Sequence, residues 1–226
     1  MTESPLFNVH THRFDNHALI HIDALNCQIP KDVNLNNYWF SIGIHPWDTE
    51  RINISEVPIL LARCFEEIHP IAIGECGVDR LRGASIDIQL TVFEQHVEFA
   101  TKKNLPVIVH SVRAISDILP ILKKYNTTTF VFHNYHANWI QTEALLQLNC
   151  FFSFGTSILK PNEKLLEVIR RIPSHRLLLE TDDEDPDLLM SVLQQLAIIR
   201  KTKSEMLEIE IRKNVDFVFF KSVKHG

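Results

Sequence analysis

No stretch of this chain approaches the roughly 18 consecutive apolar residues that a membrane-crossing helix needs. The opening MTESPLFNVH lacks the basic-then-apolar layout of a secretory signal. A soluble, cytoplasmic protein with no membrane partner is the expectation. The four cysteines, Cys27, Cys64, Cys76 and Cys150, form no Cys-x-x-Cys pair, which argues against a zinc ribbon or a dithiol redox site and for reduced, buried thiols. Glycine is scarce, with six in the chain, and no glycine-rich phosphate turn follows the first apolar run, so a dinucleotide-binding open sheet fits poorly. Positive charge is short as well. With a net charge of −5, the chain has no excess of basic residues to build a broad phosphate-tracking surface, although a cleft holding divalent cations can still be locally positive. Histidine is the residue in surplus, at twelve.

Short apolar runs bounded by turn residues predict strands at 6–10, 18–22, 38–44, 71–76, 106–110, 129–133, 150–154 and 176–180. Several are continuous runs such as VIV, VFVF and LLL, as expected of strands covered on both faces in a parallel sheet. Helical periodicity falls between the later ones, at 57–68, 88–103, 114–125, 138–148, 163–172 and 187–200. This strand–helix alternation runs without a break in composition, so residues 1–226 read as one α/β domain, a TIM-like (β/α)8 barrel. The first unit conflicts with that rhythm. Only residues 11–17 separate His10 from the second strand, whereas a parallel crossover needs about a dozen or more. The expectation is a barrel distorted or abbreviated there, or a second strand that is short, antiparallel or absent.

Polar residues recur where these strands end: His10 and His12 in NVHTHRFD, His45 in SIGIHPW, Glu75 in AIGECGVD, His110 in PVIVH, His133 in FVFH and Asp182 in LLLETD. In a barrel those ends share one rim, and side chains from different strands converge on one cavity. A lone histidine at a strand end is ordinarily hydrogen-bonded or exposed. The recurrence is what points to metal, and the alternation in His10-Thr11-His12 turns both imidazoles the same way. Four imidazoles and two carboxylates, without thiolates, suit Zn²⁺, Mn²⁺, Fe or Co better than a purely Mg²⁺ or Ca²⁺ site. Six ligands exceed the four of a structural zinc site, whereas two divalent ions sharing a carboxylate would use them all. Hydrolysis is the natural reaction class, because paired ions lower the pKa of a bound water and offset charge on a phosphoryl or carbonyl oxygen.

In order along the chain, HTH (10–12), GIHPW (43–47), GECGVD (74–79), PVIVHS (106–111), FVFHNY (130–135), FSFG (152–155), LLLETD (177–182) and NVDFVF (214–219) resemble the TatD family of metal-dependent hydrolases, among the amidohydrolase-like barrels. The resemblance implies two divalent metal ions, Zn²⁺, Mg²⁺ or Mn²⁺. It places His10, His12 and Asp182 on one ion and His110 and His133 on the other, with Glu75 bridging. It makes Asp182 the candidate general base and implies a phosphodiesterase, most simply a deoxyribonuclease trimming DNA from the 3′ end. His45 and Arg113 are candidates for substrate contact, and Lys160 lies just past another strand end.

The chain also departs from the family's pattern. Trp47 replaces the second histidine of GIHPH, and Asn134, Tyr135, His136 and Ala137 replace the residues that usually follow His133. We read Trp47 and Tyr135 as packing residues and the acidic run from Glu180 to Asp187 as a solvated loop and helix start. Asp15 is assigned no role. Shortened loops would open or shrink the pocket, so hydrolysis of a small phosphoester, amide or lactone is the alternative. A catalytically inactive metal-binding protein is the third reading, and the complete ligand set argues against it. Nothing in the sequence requires more than a monomer.

Overall fold

The apolar runs become eight parallel strands in a computed structural model that describes residues 6–29 and 34–220. They are β1 (Asn8–Thr11), β2 (Ala18–Asp23), β3 (Trp39–Gly43), β4 (Ala72–Asp79), β5 (Val107–Val112), β6 (Phe130–Phe132), β7 (Cys150–Phe154) and β8 (Leu177–Leu179). Their order in the sheet is their order in the chain. The sheet curls until β1 meets β8 through a parallel bridge between Thr11 and Asp182, giving a nearly closed barrel.

Asn8 makes much of that closure. Its side-chain Nδ2 donates to Thr181 Oγ1 at 2.7 Å and its side-chain Oδ1 accepts the Thr181 N–H at 3.1 Å. One step along, the Asp182 N–H donates to the His10 carbonyl at 3.1 Å, and Thr11 Oγ1 donates to the Asp182 carbonyl at 2.9 Å. These bonds bring the two ends of the chain's ligand list together.

Outside the strands lie α1 (Val57–Ile68), α2 (Ile86–Lys103), α3 (Ile115–Lys124), α4 (Trp139–Leu146), α5 (Glu163–Arg171), α6 (Leu189–Arg200) and α7 (Ser204–Val215). Their apolar stripes face the sheet, as in α1, where Val57, Leu61, Cys64 and Ile68 are buried at helical spacing. Helix α7 has no counterpart among the expected elements. Its inward positions, Leu207, Ile211, Asn214 and Val215, are interleaved with charged residues, and the EIEI segment alternates like a strand. Phe93, Phe130, Phe132, Phe152 and Phe154 fill the core, and all four cysteines are buried free thiols. No helix among the described residues is long and apolar enough to cross a membrane.

The first unit is parallel yet irregular. β1 and β2 pair with a register shift between Asn8 and Thr11, and no α-helix joins them. Residues 12–17 return directly: Asp15 Oδ1 accepts the His17 N–H at 2.8 Å, and the Asn8 N–H donates to the His17 carbonyl at 2.8 Å. Asp15 therefore shapes the turn. Among the described residues the β2–β3 connection also lacks an α-helix, so two crossovers of the barrel are abbreviated.

β4 and β5 run further than the apolar runs predict, to Asp79 and Val112, which puts Glu75 and His110 inside strands rather than at their ends. These strands approach so closely that a Cβ on Gly74 would collide with the Ile108 carbonyl and one on Gly77 with the His110 carbonyl, and both glycines hold positive φ. Register slips between Ile73 and Cys76, where Glu75 enters the barrel mouth.

Candidate metal centre

Glu75 lies at the centre of the site, 2% exposed, with its two carboxylate oxygens serving two groups of imidazoles. Oε2 stands 3.2 Å from His10 Nε2 and 3.6 Å from His12 Nε2. Oε1 stands 2.6 Å from His110 Nδ1, 2.7 Å from His133 Nε2 and 3.2 Å from His45 Nε2. Asp182 Oδ1 completes the first group at 3.7 Å from His10 and 3.5 Å from His12. All six expected ligand residues therefore converge, and each strand contributes by a local device. β1 aims His10 and His12 by alternation, β4 aims Glu75 through its bulge, and His133 and Asp182 sit just past β6 and β8.

Asp182, Arg113 and Asn134 all hold left-handed backbone, with φ of 53°, 56° and 40°. Each follows the end of a strand, and non-glycine residues pay for this conformation, which is why it concentrates at functional sites.

Burial opposes ionisation of Glu75, but His133 and then His10, His110 and His12 hold its carboxyl well below the usual range. Burial would lower His12, yet hydrogen bonds to Asp182 and Glu75 push it up to about 10. His133 is likewise raised against burial by Glu75 and Glu180, whereas burial prevails at His110 and lowers it. Burial would raise Asp182, but His12, His133 and His10 keep it below the ordinary carboxylate value. A divalent cation among these donors would compete with protons for the imidazole nitrogens.

The donors fit a metal on a second count. Both ring nitrogens of His10, Nδ1 of His133 and Oε2 of Glu180 are buried without a hydrogen bond. A buried polar atom left unpaired costs roughly 1–3 kcal/mol, and an ion beside Glu75 would satisfy His10 Nε2, the nitrogen that faces that carboxylate. Among the described residues, ligand-type atoms gather within 4.8 Å in four overlapping groups: His10, His12 and Asp182; His10, Glu75 and His133; His45, Glu75 and His110; and His133, Glu180 and Asp182.

Other residues take places that the sequence did not assign. Asp79, 3% exposed, accepts from Trp47 Nε1 at 2.6 Å and lies 3.4 Å from His110 Nε2. Strand alternation puts Asp79 on the same face as Glu75, a signal present in GECGVD. Glu180 is fully buried, contrary to the solvated reading of the acidic run, because its Oε1 accepts the Asn134 N–H at 2.6 Å and lies 3.5 Å from His133 Nδ1. His21 has its Nδ1 2.8 Å from the Glu75 backbone N–H, and burial lowers its pKa to about 3.

The cluster opens into a cavity of about 710 Å³ bounded by His45, Trp47, Arg113, His136 and three acidic residues, Asp23, Asp48 and Asp183. Within the acidic run, Glu184, Asp185 and Asp187 are exposed as expected, and Asp183 lies on the cavity wall. His45 Nδ1 accepts the Trp47 backbone N–H at 3.2 Å, which leaves Nε2–H to donate toward Glu75. Trp47 is 45% exposed at the cavity lip, not packed. Tyr135 is a packing residue, as read, buried against Phe132, Phe152 and Phe154. Lys160 is exposed and lies outside the cavity wall.

A parallel barrel with a histidine–carboxylate cluster at the C-terminal mouth of its strands defines a metal-dependent hydrolase of the TIM-barrel class. The sequence model of the TatD related DNase family matches residues 26–220, and the chain belongs to that family. A metal-dependent hydrolase of Buchnera aphidicola, BU355, is 31% identical over 158 residues, which span 65% of this chain and 59% of that protein. The 3′-5′ ssDNA/RNA exonuclease TatD of a Pantoea strain is 28% identical over 209 residues, 80% of this chain and 77% of its own. Among solved structures, YJJV, a TatD homolog from Escherichia coli, superposes with a TM-score of 0.77 at 23% identity, covering 89% of this chain and 85% of that one.

Proposed function

We propose that the chain is a two-metal phosphodiesterase acting as a deoxyribonuclease, with single-stranded DNA trimmed from its 3′ end as the reaction. The observation that carries this is the division of Glu75, one oxygen toward His10 and His12 and the other toward His110 and His133. In this reading His10, His12 and Asp182 hold one divalent ion, Zn²⁺, Mn²⁺ or Mg²⁺, and His110 and His133 the other, with Glu75 shared. Bound there, such ions supply the Lewis acidity that makes water a competent nucleophile at neutral pH and offset charge on the phosphoryl oxygens.

Asp182 is the general base. Its carboxyl stays ionised at neutral pH, held low by His12, His133 and His10 against burial, and its backbone is anchored across the barrel seam. It takes the proton of the attacking water as the new P–O bond forms and the bond to the departing oxygen breaks. Arg113, on the wall with its left-handed backbone, and His45, with Nε2–H directed into the cluster, orient the phosphate.

Asp23, Asp48 and Asp183 on the cavity wall favour a second reading, hydrolysis of a small phosphoester, amide or lactone, since acidic side chains repel a long polyanion. The two are separated by incubating the protein with a 5′-labelled single-stranded oligonucleotide and, in parallel, with a small phosphomonoester and a lactam, under Zn²⁺, Mn²⁺ or Mg²⁺. A ladder of products shortened from the 3′ end supports the nuclease. Turnover of a small substrate with an intact oligonucleotide refutes it in favour of the second reading.

A further inference from the structure

We propose that Trp47 is a stacking subsite at the lip of the cavity for the base of a nucleotide flanking the scissile phosphate. The inference deepens the nuclease reading, rests on it, and concerns a residue outside the ligand set.

An indole that serves packing is covered, whereas Trp47 is 45% exposed and lines the cavity beside His45 and Arg113. The ring is nevertheless fixed. Its Nε1–H donates to Asp79 Oδ2 at 2.6 Å, and the buried Asp79 is held in turn, its N–H donating to Gln89 Oε1 at 2.7 Å and its Oδ1 accepting the Leu81 N–H at 2.8 Å. Gln89 is itself buried and donates to the Arg82 and Ala84 carbonyls at 2.8 and 2.7 Å. The polar edge of the indole is thus committed to a buried carboxylate, and apolar ring surface is what remains for the cavity. An aromatic group already immobilised loses little entropy when a flat ligand settles on it.

Arg82 steadies the ring from outside. Its guanidinium lies over the indole, 4.3 Å from the centroid. Among the described residues it has no carboxylate partner, in contrast to Arg51, paired with Asp48 at 2.7 Å, and Arg80, paired with Asp117 at 2.6 Å. Its charge therefore stays at the lip, where an entering strand carries phosphates.

The chemistry of the cavity selects a base as the occupant. With Asp23, Asp48 and Asp183 on the wall and a net charge of −5, the chain has little basic surface with which to hold a strand by its phosphates. Stacking on an aromatic ring does not depend on that charge and accepts every base, as repeated trimming of a strand requires. The position of the ring suits this as well. Its centroid is 4.6 Å from that of His45 and 6.1 Å from that of His110, so a base resting on it belongs to a nucleotide whose phosphate lies at the cluster. A cavity of about 710 Å³ has room for such a nucleotide.

The test crosses a change in the substrate with a change in the protein. Single-stranded oligonucleotides with normal bases, or with abasic tetrahydrofuran residues at the last two 3′ positions, are given to the native protein, Trp47→Leu and Trp47→Phe. In the native protein, loss of the bases should raise KM by about 5- to 150-fold, the range of one base–aromatic stack, with kcat largely kept. Trp47→Leu should show that rise on the normal strand and no further rise on the abasic one, with Trp47→Phe in between. If Trp47→Leu fails to fold, the two native KM values and Trp47→Phe still decide. A Trp47→Leu variant with native KM on the normal strand, or one that loses the same factor on both strands, would overturn the proposal. If the native protein cuts neither strand with Zn²⁺, Mn²⁺ or Mg²⁺, the nuclease reading fails and this proposal with it. If it cuts both strands equally well, the stacking subsite alone fails.

Discussion

Replacing Glu75 by glutamine preserves the volume of the side chain and removes the charge on which the site turns. Five imidazoles lie within 3.6 Å of its two oxygens. An amide can offer one carbonyl oxygen to one group, and its NH₂ then faces the other group with donors where a cation needs electron pairs. Binding should fail on both sides of the site, and the consequence can be read without any substrate. A ligand that binds only the folded state at 100 times its Kd adds about 2.7 kcal/mol to stability. In a chain of this length each kcal/mol moves Tm by about 2–4 °C, so saturating metal should raise native Tm by roughly 5–11 °C. Differential scanning calorimetry of chelator-treated native and Glu75→Gln proteins, each with and without added Zn²⁺ or Mn²⁺, measures this directly. The native protein should gain the full shift and the variant less than about a quarter of it. A variant that gains the whole native shift would refute the division of Glu75 between two groups of ligands.

Asp182→Asn should lower kcat by about 10²- to 10⁴-fold with little change in KM, as expected of a lost general base, in steady-state assays on whichever ester the protein turns over. In the metal-free protein, burial lowers His96 to about 4 from 6.5, while its Nε2 accepts the Ile44 N–H at 3.0 Å. The unfolded chain takes up that proton first, so the stability tied to neutral His96 is intact above about pH 6.5 and is lost as pH falls toward 4. The full loss is ~3 kcal/mol, visible in urea denaturation across that window and flattened in His96→Gln. Tyr135→Phe removes the bond from the Tyr135 hydroxyl to Thr142 Oγ1, 2.9 Å long, and should cost about 1 kcal/mol in chemical denaturation with kcat unchanged. A drop in kcat there would mean that Tyr135 reaches the substrate.

Much of the candidate site can be read in the chain because each candidate ligand ends or interrupts an apolar run. His110 after VIV and His133 after VFVF are polar residues where a buried strand meets the rim, and that contrast is local. Glu180 was read as part of a solvated acidic loop, since Glu180 to Asp187 is nearly continuous charge. Its burial depends on the Asn134 N–H, 46 residues away, which no local pattern reports. Asp79 lies beyond the apolar run at 71–76, and only the approach of β5 brings His110 to it. Helix α7 is not legible locally because its charged residues interrupt a buried stripe that packs against α6, β8 and the Ser174–Arg176 turn.

Strand spacing, the apolar runs and the identity of the ligand residues are properties of the one-dimensional chain, since local periodicity and side-chain chemistry act over a few residues. They determined a parallel barrel and a metal-binding rim. The closing of β1 on β8, the division of Glu75 between its two oxygens, and the meeting of Trp47 and His110 at Asp79 belong to the folded state alone. Each depends on groups tens of residues apart being held within about 3 Å, the reach over which a hydrogen bond or a coordinated ion acts.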